Sequence, residues 1–144
     1  MNNHNTFESS VNRFNCMYGL AIHEKPTLPA DVAERLRKFK ETLMDEVHEA
    51  DDIMADASRG VDALDQLVAL ADWLGDITVY CRSEAMKYGI PLERVLEIIM
   101  ESNLSKLGAD GQPIYDQNGK VLKGPGYWKP EPRIRALLES MIAR

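Results

Sequence analysis

The sequence predicts an all-α fold: a helical bundle of about five helices with a short Gly/Pro/Lys-rich hairpin or loop near the C-terminus. Three observations carry this. Apolar residues recur at spacings of three and four over long stretches. Glycine and proline fall between those stretches rather than within them. The links are short, which places successive helices side by side. With 144 residues, 44% of them apolar, the chain fits one domain spanning 1–144.

The elements follow in order. A first helix is expected from about Thr6 to Tyr18, stopping at Gly19. The stretch His23 to Pro29 holds Pro26 and Pro29 and is a linker. Asp31 is placed to cap a second helix running to about Ala57, whose positions Leu36, Phe39, Leu43, Val47, Ala50 and Met54 keep the helical spacing. Ser58-Arg59-Gly60 ends it. A third helix runs from about Asp62 to Tyr88 and stops at Gly89. Pro91 suits the first turn of a fourth helix, expected to reach Leu107. Gly108 to Pro132 is dense in glycine and proline. Within it, Pro113-Ile114-Tyr115 and Lys120-Val121-Leu122 flank Asn118-Gly119, the pattern of a small hairpin. A last helix covers about Arg133 to Ala143.

Composition narrows the function. No apolar run approaches the roughly 18 residues of a membrane span, and the N-terminus lacks the basic-then-apolar pattern of a secretion signal. A cytoplasmic protein is expected, with no membrane partner. Cys16 and Cys81 sit in apolar helical patterns and read as reduced core thiols. A net charge of −6 argues against a nucleic-acid partner. The charge is uneven. From Glu41 to Asp76 there are eleven acids and one base, and from Glu101 to Arg135 four acids and six bases. One part of the chain is suited to cations and the other to anions.

The second helix carries seven acids and no Lys or Arg between Glu41 and Asp56. At about 100° per residue, Glu46 lies near the apolar face and Glu49 on the same flank one turn on; Asp51, Asp52 and Asp56 fit a solvated face. On the third helix, Asp72 and Asp76 are the only charged residues between Gln66 and Cys81. Four apart, they share one face, and the apolar circumference around them predicts burial on most sides. Carboxylates at the edge of a core are costly without compensation. A cation shared between the two helices would compensate. Oxygen donors without Cys or paired His select magnesium, with manganese possible, over zinc. A di-iron carboxylate centre wants two Glu-x-x-His motifs, whereas this chain has one near-match, Asp45-Glu46-Val47-His48, with His4 and His23 outside the long helices.

In the basic third, Asn103 and Lys106 share a face on the last turns of the fourth helix. Lys120, Lys123 and Lys129 follow among glycines, which let backbone N–H groups approach phosphate while lysines add charge. Tyr127 and Trp128 are placed to stack a base.

Together these segments resemble the all-alpha NTP pyrophosphatases, the MazG-like and phosphoribosyl-ATP pyrophosphohydrolase-like group. The family's E-E-x-x-E motif appears as Asp45-Glu46-Val47-His48-Glu49, its E-x-x-D motif around Asp72-Trp73-Leu74-Gly75-Asp76, and its S-N-x-S-K-L signature as Ser102 to Leu107, continuing into GQPIYDQNGKVLKGPGY. The resemblance covers about Leu36 to Pro130. It departs at Asp45, where the family has Glu, and at Trp73, where the acid of E-x-x-D would stand.

The resemblance implies a magnesium-dependent hydrolysis of a nucleoside triphosphate to the monophosphate and pyrophosphate by a homodimer or dimer of dimers. Glu46, Glu49, Asp72 and Asp76 would hold metal. Asp45 or Glu46 would activate water. Lys106, Lys120 and Lys123 would hold phosphates, Asn103 would touch the metal site or the sugar, and Tyr127 or Trp73 would stack the base, Trp73 reading more as core. The alternatives are the histidine-pathway enzyme acting on phosphoribosyl-ATP and a non-catalytic helical dimer that keeps the acids as a surface.

Overall fold

A computed structural model describes residues 6–143; the His4 position lies outside them. Five helices are present: α1 Phe7–Met17, α2 Val32–Ser58, α3 Ala63–Lys87, α4 Leu92–Leu104 and α5 Glu131–Ile142. The fold is an all-α helical bundle. No described helix is long and apolar enough to cross a membrane.

The helix starts follow side-chain chemistry. Thr6 Oγ1 accepts the Ser9 N–H at 3.1 Å and Asp62 Oδ2 accepts that of Leu64 at 2.9 Å, each satisfying an amide that the helix leaves unpaired. Asp31 stands at the start of α2 without a capping bond; its Oδ1 instead accepts from Arg35 Nε at 2.8 Å.

The helices form two compact units, divided between Gly89 and Ile90. In the first, α2 and α1 both pack on α3. The α1–α3 contact centres on Asn15, whose side chain is wholly buried. Its Nδ2 donates to the Ser83 carbonyl at 3.3 Å, and Ser83 Oγ donates back to Asn15 Oδ1 at 2.7 Å. Arg82, 2% exposed, adds an ion pair to Glu8 at 3.0 Å. The linker is strapped to the end of α3: the N–H groups of His23 and Thr27 donate to the carbonyls of Met86 and Tyr88. Gly89 makes that approach possible. Its φ is +64°, in the left-handed region, and a Cβ there would meet the Lys25 carbonyl oxygen at 2.1 Å.

Burial in α3 is lopsided. Arg82 to Met86 are buried, but Leu64, Leu67, Val68 and Leu74 on the earlier turns are all more than half exposed. The expectation that the apolar circumference of α3 is covered on most sides therefore fails within a single chain, because only α1 and α2 pack against this helix. Cys16 is likewise exposed rather than in the core, and Cys81 is half-buried; both are free thiols.

In the second unit α4 packs on α5, with Val95, Ser102 and Leu137 buried. α4 ends at Leu104, short of the expected Leu107, because the chain turns to meet the loop: Ser102 Oγ donates to the Trp128 carbonyl at 2.8 Å, and Gly124 N–H donates to the Lys106 carbonyl at 2.8 Å. A single antiparallel bridge joins Tyr115 and Val121, with Gly119 in the left-handed region at the turn.

Candidate functional site

The turn at Arg59–Gly60 brings α3 back alongside α2. Glu46 and Trp73 lie the same number of residues from it on either side, and the Trp73 indole N–H donates to the Glu46 backbone carbonyl at 2.7 Å. That bond pins the acidic stretch of α2 to the one acidic stretch of α3. Trp73 is half-buried and ties the two helices together.

Glu46 is the exception among the acids. It is 7% exposed, and its Oε1 has no hydrogen-bond partner among the described residues. Burial raises its pKa above the ordinary 4.5, and the negative charges of Glu49, Asp76 and Asp72 raise it further. Those three side chains are exposed, as are Asp45 and His48. The fold therefore brings Glu49, Asp72 and Asp76, from two helices, within electrostatic reach of Glu46. As the side chains stand, no three His, Cys, Asp or Glu residues among those described close on a common point. In chemical type, oxygen donors such as these suit a hard divalent cation rather than a softer metal.

Solved structures include one of the same fold. It is a crystal structure at 1.78 Å resolution of a provisionally described NTP pyrophosphohydrolase from Exiguobacterium sp. 255-15, 21% identical, with a TM-score of 0.55, covering 96% of this chain and 97% of that one. The likeness shows a shared all-α fold over nearly the whole chain. No protein-family model and no curated protein matches the sequence.

The basic residues lie in the second unit. Lys106 follows the end of α4 rather than lying on it, but its Nζ still donates to Asn103 Oδ1 at 2.7 Å. The backbone N–H of Lys120 donates to Asp116 Oδ1 at 2.9 Å. The Lys123 ammonium sits over the Tyr127 ring, 4.7 Å from its centroid, and the Arg133 guanidinium covers Trp128 at 3.6 Å. Both aromatic faces thus already carry a cation. Gly124 is required where it stands, since a Cβ would meet the Leu107 carbonyl oxygen at 1.8 Å.

One feature of the first unit has no counterpart in the sequence motifs. A cavity of about 590 Å³ opens beside Asp76, walled by Phe14, Phe39 and Tyr80 and by Arg35, Lys38 and Lys87. This is the size of a small-molecule site. Its trace in the sequence is the basic start of α2, Arg35 to Lys40, directly ahead of the acidic run, together with the charged residues Arg82, Glu84 and Lys87 near the end of α3.

Proposed function

We propose that this chain hydrolyses a nucleoside triphosphate, ribo or deoxy, to the monophosphate and pyrophosphate, as a cytosolic nucleotide-pool enzyme. The observation that carries the reading is Glu46: a buried carboxylate with one oxygen unpartnered, surrounded by three more carboxylates from two helices. Such an arrangement is destabilising in itself and becomes favourable with a cation present. Glu46, Glu49, Asp72 and Asp76 would hold magnesium or manganese. The bound ion would supply neutralisation of charge on the phosphate oxygens.

The chain's own residues supply the remainder. Glu46, the one buried acid of the four, would hold the attacking water and take its proton. Asp45, exposed on the outer side, is less suited. The resemblance assigns phosphate binding to Lys106, Lys120 and Lys123, whose ammonium groups would suit it. The uncovered apolar turns of α3, Leu64 to Leu74, favour a second copy of the chain as partner. The fold shared with the Exiguobacterium protein agrees with this reading.

The test is pyrophosphate release by purified protein, with and without Mg²⁺, across normal and damaged nucleotides and phosphoribosyl-ATP. Metal-dependent release from at least one triphosphate, lost in Asp76→Ala, is expected. A wild type that neither turns over nor melts higher with Mg²⁺ identifies a non-catalytic helical dimer instead.

A further inference from the structure

We propose that the cavity beside Asp76 is the base-binding pocket, and that Glu84 on its floor selects bases bearing an exocyclic amino group. This deepens the reading above and rests on it for the identity of the ligand as a nucleotide.

The cavity abuts the acidic cluster, because Asp76 belongs to both. From Asp76 its wall follows α3 through Val79, Tyr80 and Ser83 to Glu84 and Lys87. The eight residues from Asp76 to Glu84 span about 12 Å at the helical rise. That separation matches the reach from a phosphate held at the acids, across a sugar, to the far edge of a base. The walls favour a base over a pyrophosphate tail. Phe14, Phe39 and Tyr80 offer aromatic faces, and base stacking on such faces tolerates any base. Each cation is already matched by a carboxylate: Arg35 by Asp31 at 2.8 Å, Lys38 by Glu34 at 3.4 Å and Lys87 by Glu84 at 2.8 Å. Those carboxylates line the same cavity, and together they would repel polyphosphate.

Glu84 supplies the selectivity. It is 7% exposed, and nothing in the proposed hydrolysis uses it. Its Oε1 accepts from the Tyr88 hydroxyl at 3.0 Å and its Oε2 from Lys87 Nζ at 2.8 Å. These two bonds fix the carboxylate, yet a carboxylate has about four acceptor positions, so acceptor capacity remains toward the cavity. Lys87 Nζ retains donors beyond the one it gives Glu84. The pair therefore presents an acceptor beside a donor. That complements a base edge carrying an amino group beside a ring nitrogen or carbonyl oxygen, as in cytosine and guanine. Uracil and hypoxanthine lack the amino group and cannot add this further bond to a carboxylate that Tyr88 and Lys87 already hold, so they forfeit one charge-assisted hydrogen bond.

The experiment compares pairs of ligands that differ in this group: GTP with ITP and CTP with UTP for turnover, and the corresponding monophosphates for binding by NMR titration without metal. The amino member of each pair is expected to bind about tenfold more tightly or better. Glu84→Gln is expected to bring the ratios close to one. Lys87→Met weakens both members and keeps the ratios. Because Glu84 is buried, the fold of E84Q is checked by circular dichroism. Should it not fold, Tyr80→Ala at the cavity rim is expected to weaken all four monophosphates. Wild-type ratios near one, ratios unchanged in a folded E84Q, or binding unaffected by Y80A would overturn the proposal. Amino-selective binding without pyrophosphate release sinks the hydrolase reading alone, whereas release with ratios of one sinks only the assignment of Glu84.

Discussion

Replacing Glu46 by glutamine isolates the feature on which the acidic site depends. Gln keeps the shape and the polarity but removes the charge. In the metal-free protein the Glu46 carboxylate is buried, one oxygen lacks a partner, and Glu49, Asp76 and Asp72 repel it. An unmatched buried polar group costs about 1–3 kcal/mol. Since the amide still needs a partner, relief of about 1 kcal/mol is the reasonable expectation. In a chain of this length that raises Tm by about 3–4 °C. The sign with pH is fixed by linkage. The folded-state pKa of Glu46 lies above its ordinary 4.5, so the folded state binds the proton more tightly than the unfolded state. Wild-type stability therefore falls as pH rises from the ordinary carboxylate range through the raised value, and this contribution is flat above it. E46Q lacks that fall, so its advantage appears only above the ordinary carboxylate range. Magnesium reverses the order. A ligand at 100 times its Kd adds about 2.7 kcal/mol to the protein that binds it, and E46Q forfeits most of this gain. Differential scanning fluorimetry from pH 4 to 8, with EDTA and with Mg²⁺, reads all three effects. If E46Q melts below wild type in EDTA at pH 7.5, or gains as much from Mg²⁺ as wild type does, the cation argument is wrong.

The other predictions concern neighbouring residues. Asp76→Ala is expected to lower kcat/KM for pyrophosphate release by about 100-fold or more and to reduce the Mg²⁺-induced Tm rise, because it removes one ligand and one wall of the cavity. Asn15→Ala removes both partners of the buried Ser83 pair and is expected to cost about 1–3 kcal/mol in urea unfolding, with no loss of the Mg²⁺-induced shift. Gly89→Ala forces a Cβ to within 2.1 Å of the Lys25 carbonyl oxygen at a positive φ. It is expected to detach the linker, lowering Tm by several degrees and exposing the amides of His23 and Thr27 to hydrogen exchange. Trp73→Phe loses one bond to the Glu46 carbonyl and is expected to cost about 1 kcal/mol in the same unfolding assay.

Which features the sequence announced follows from how local each one is. Helix starts at Thr6 and Asp62 were legible because a cap is a short-range event, whereas Asp31, expected to cap α2, makes no capping bond and accepts from Arg35 instead. The end of α4 was not legible, because it is set by Ser102 meeting Trp128 and Lys106 meeting Gly124, pairs far apart in the chain. The pairing of the acids across α2 and α3 was legible in outline, since a tight turn between two long helices leaves only the register open. That register is fixed by the Trp73–Glu46 bond, where Trp73 stands at the acid position of the E-x-x-D pattern. The sequence also misjudged coverage. Periodicity shows which side of α3 is apolar, but not whether this chain has anything to cover it, and Leu64, Leu67 and Val68 remain open.

The cavity was the feature least accessible to sequence reading. Its walls come from α1, from the basic start of α2 and from the last turns of α3, and none of these segments carries a motif. Three of its cations, Arg35, Lys38 and Lys87, each pair with a carboxylate of the same chain. This matching separates two kinds of acidic residue in the first unit. Asp31, Glu34 and Glu84 are neutralised by side chains within the chain and so have no need of a metal. Glu46 receives no such partner on its Oε1, although α2 carries Arg35, Arg37, Lys38 and Lys40 two to three turns away. No Lys or Arg stands three or four residues from Glu46 on α2, so in the reading proposed above the match to its charge comes from outside the helix.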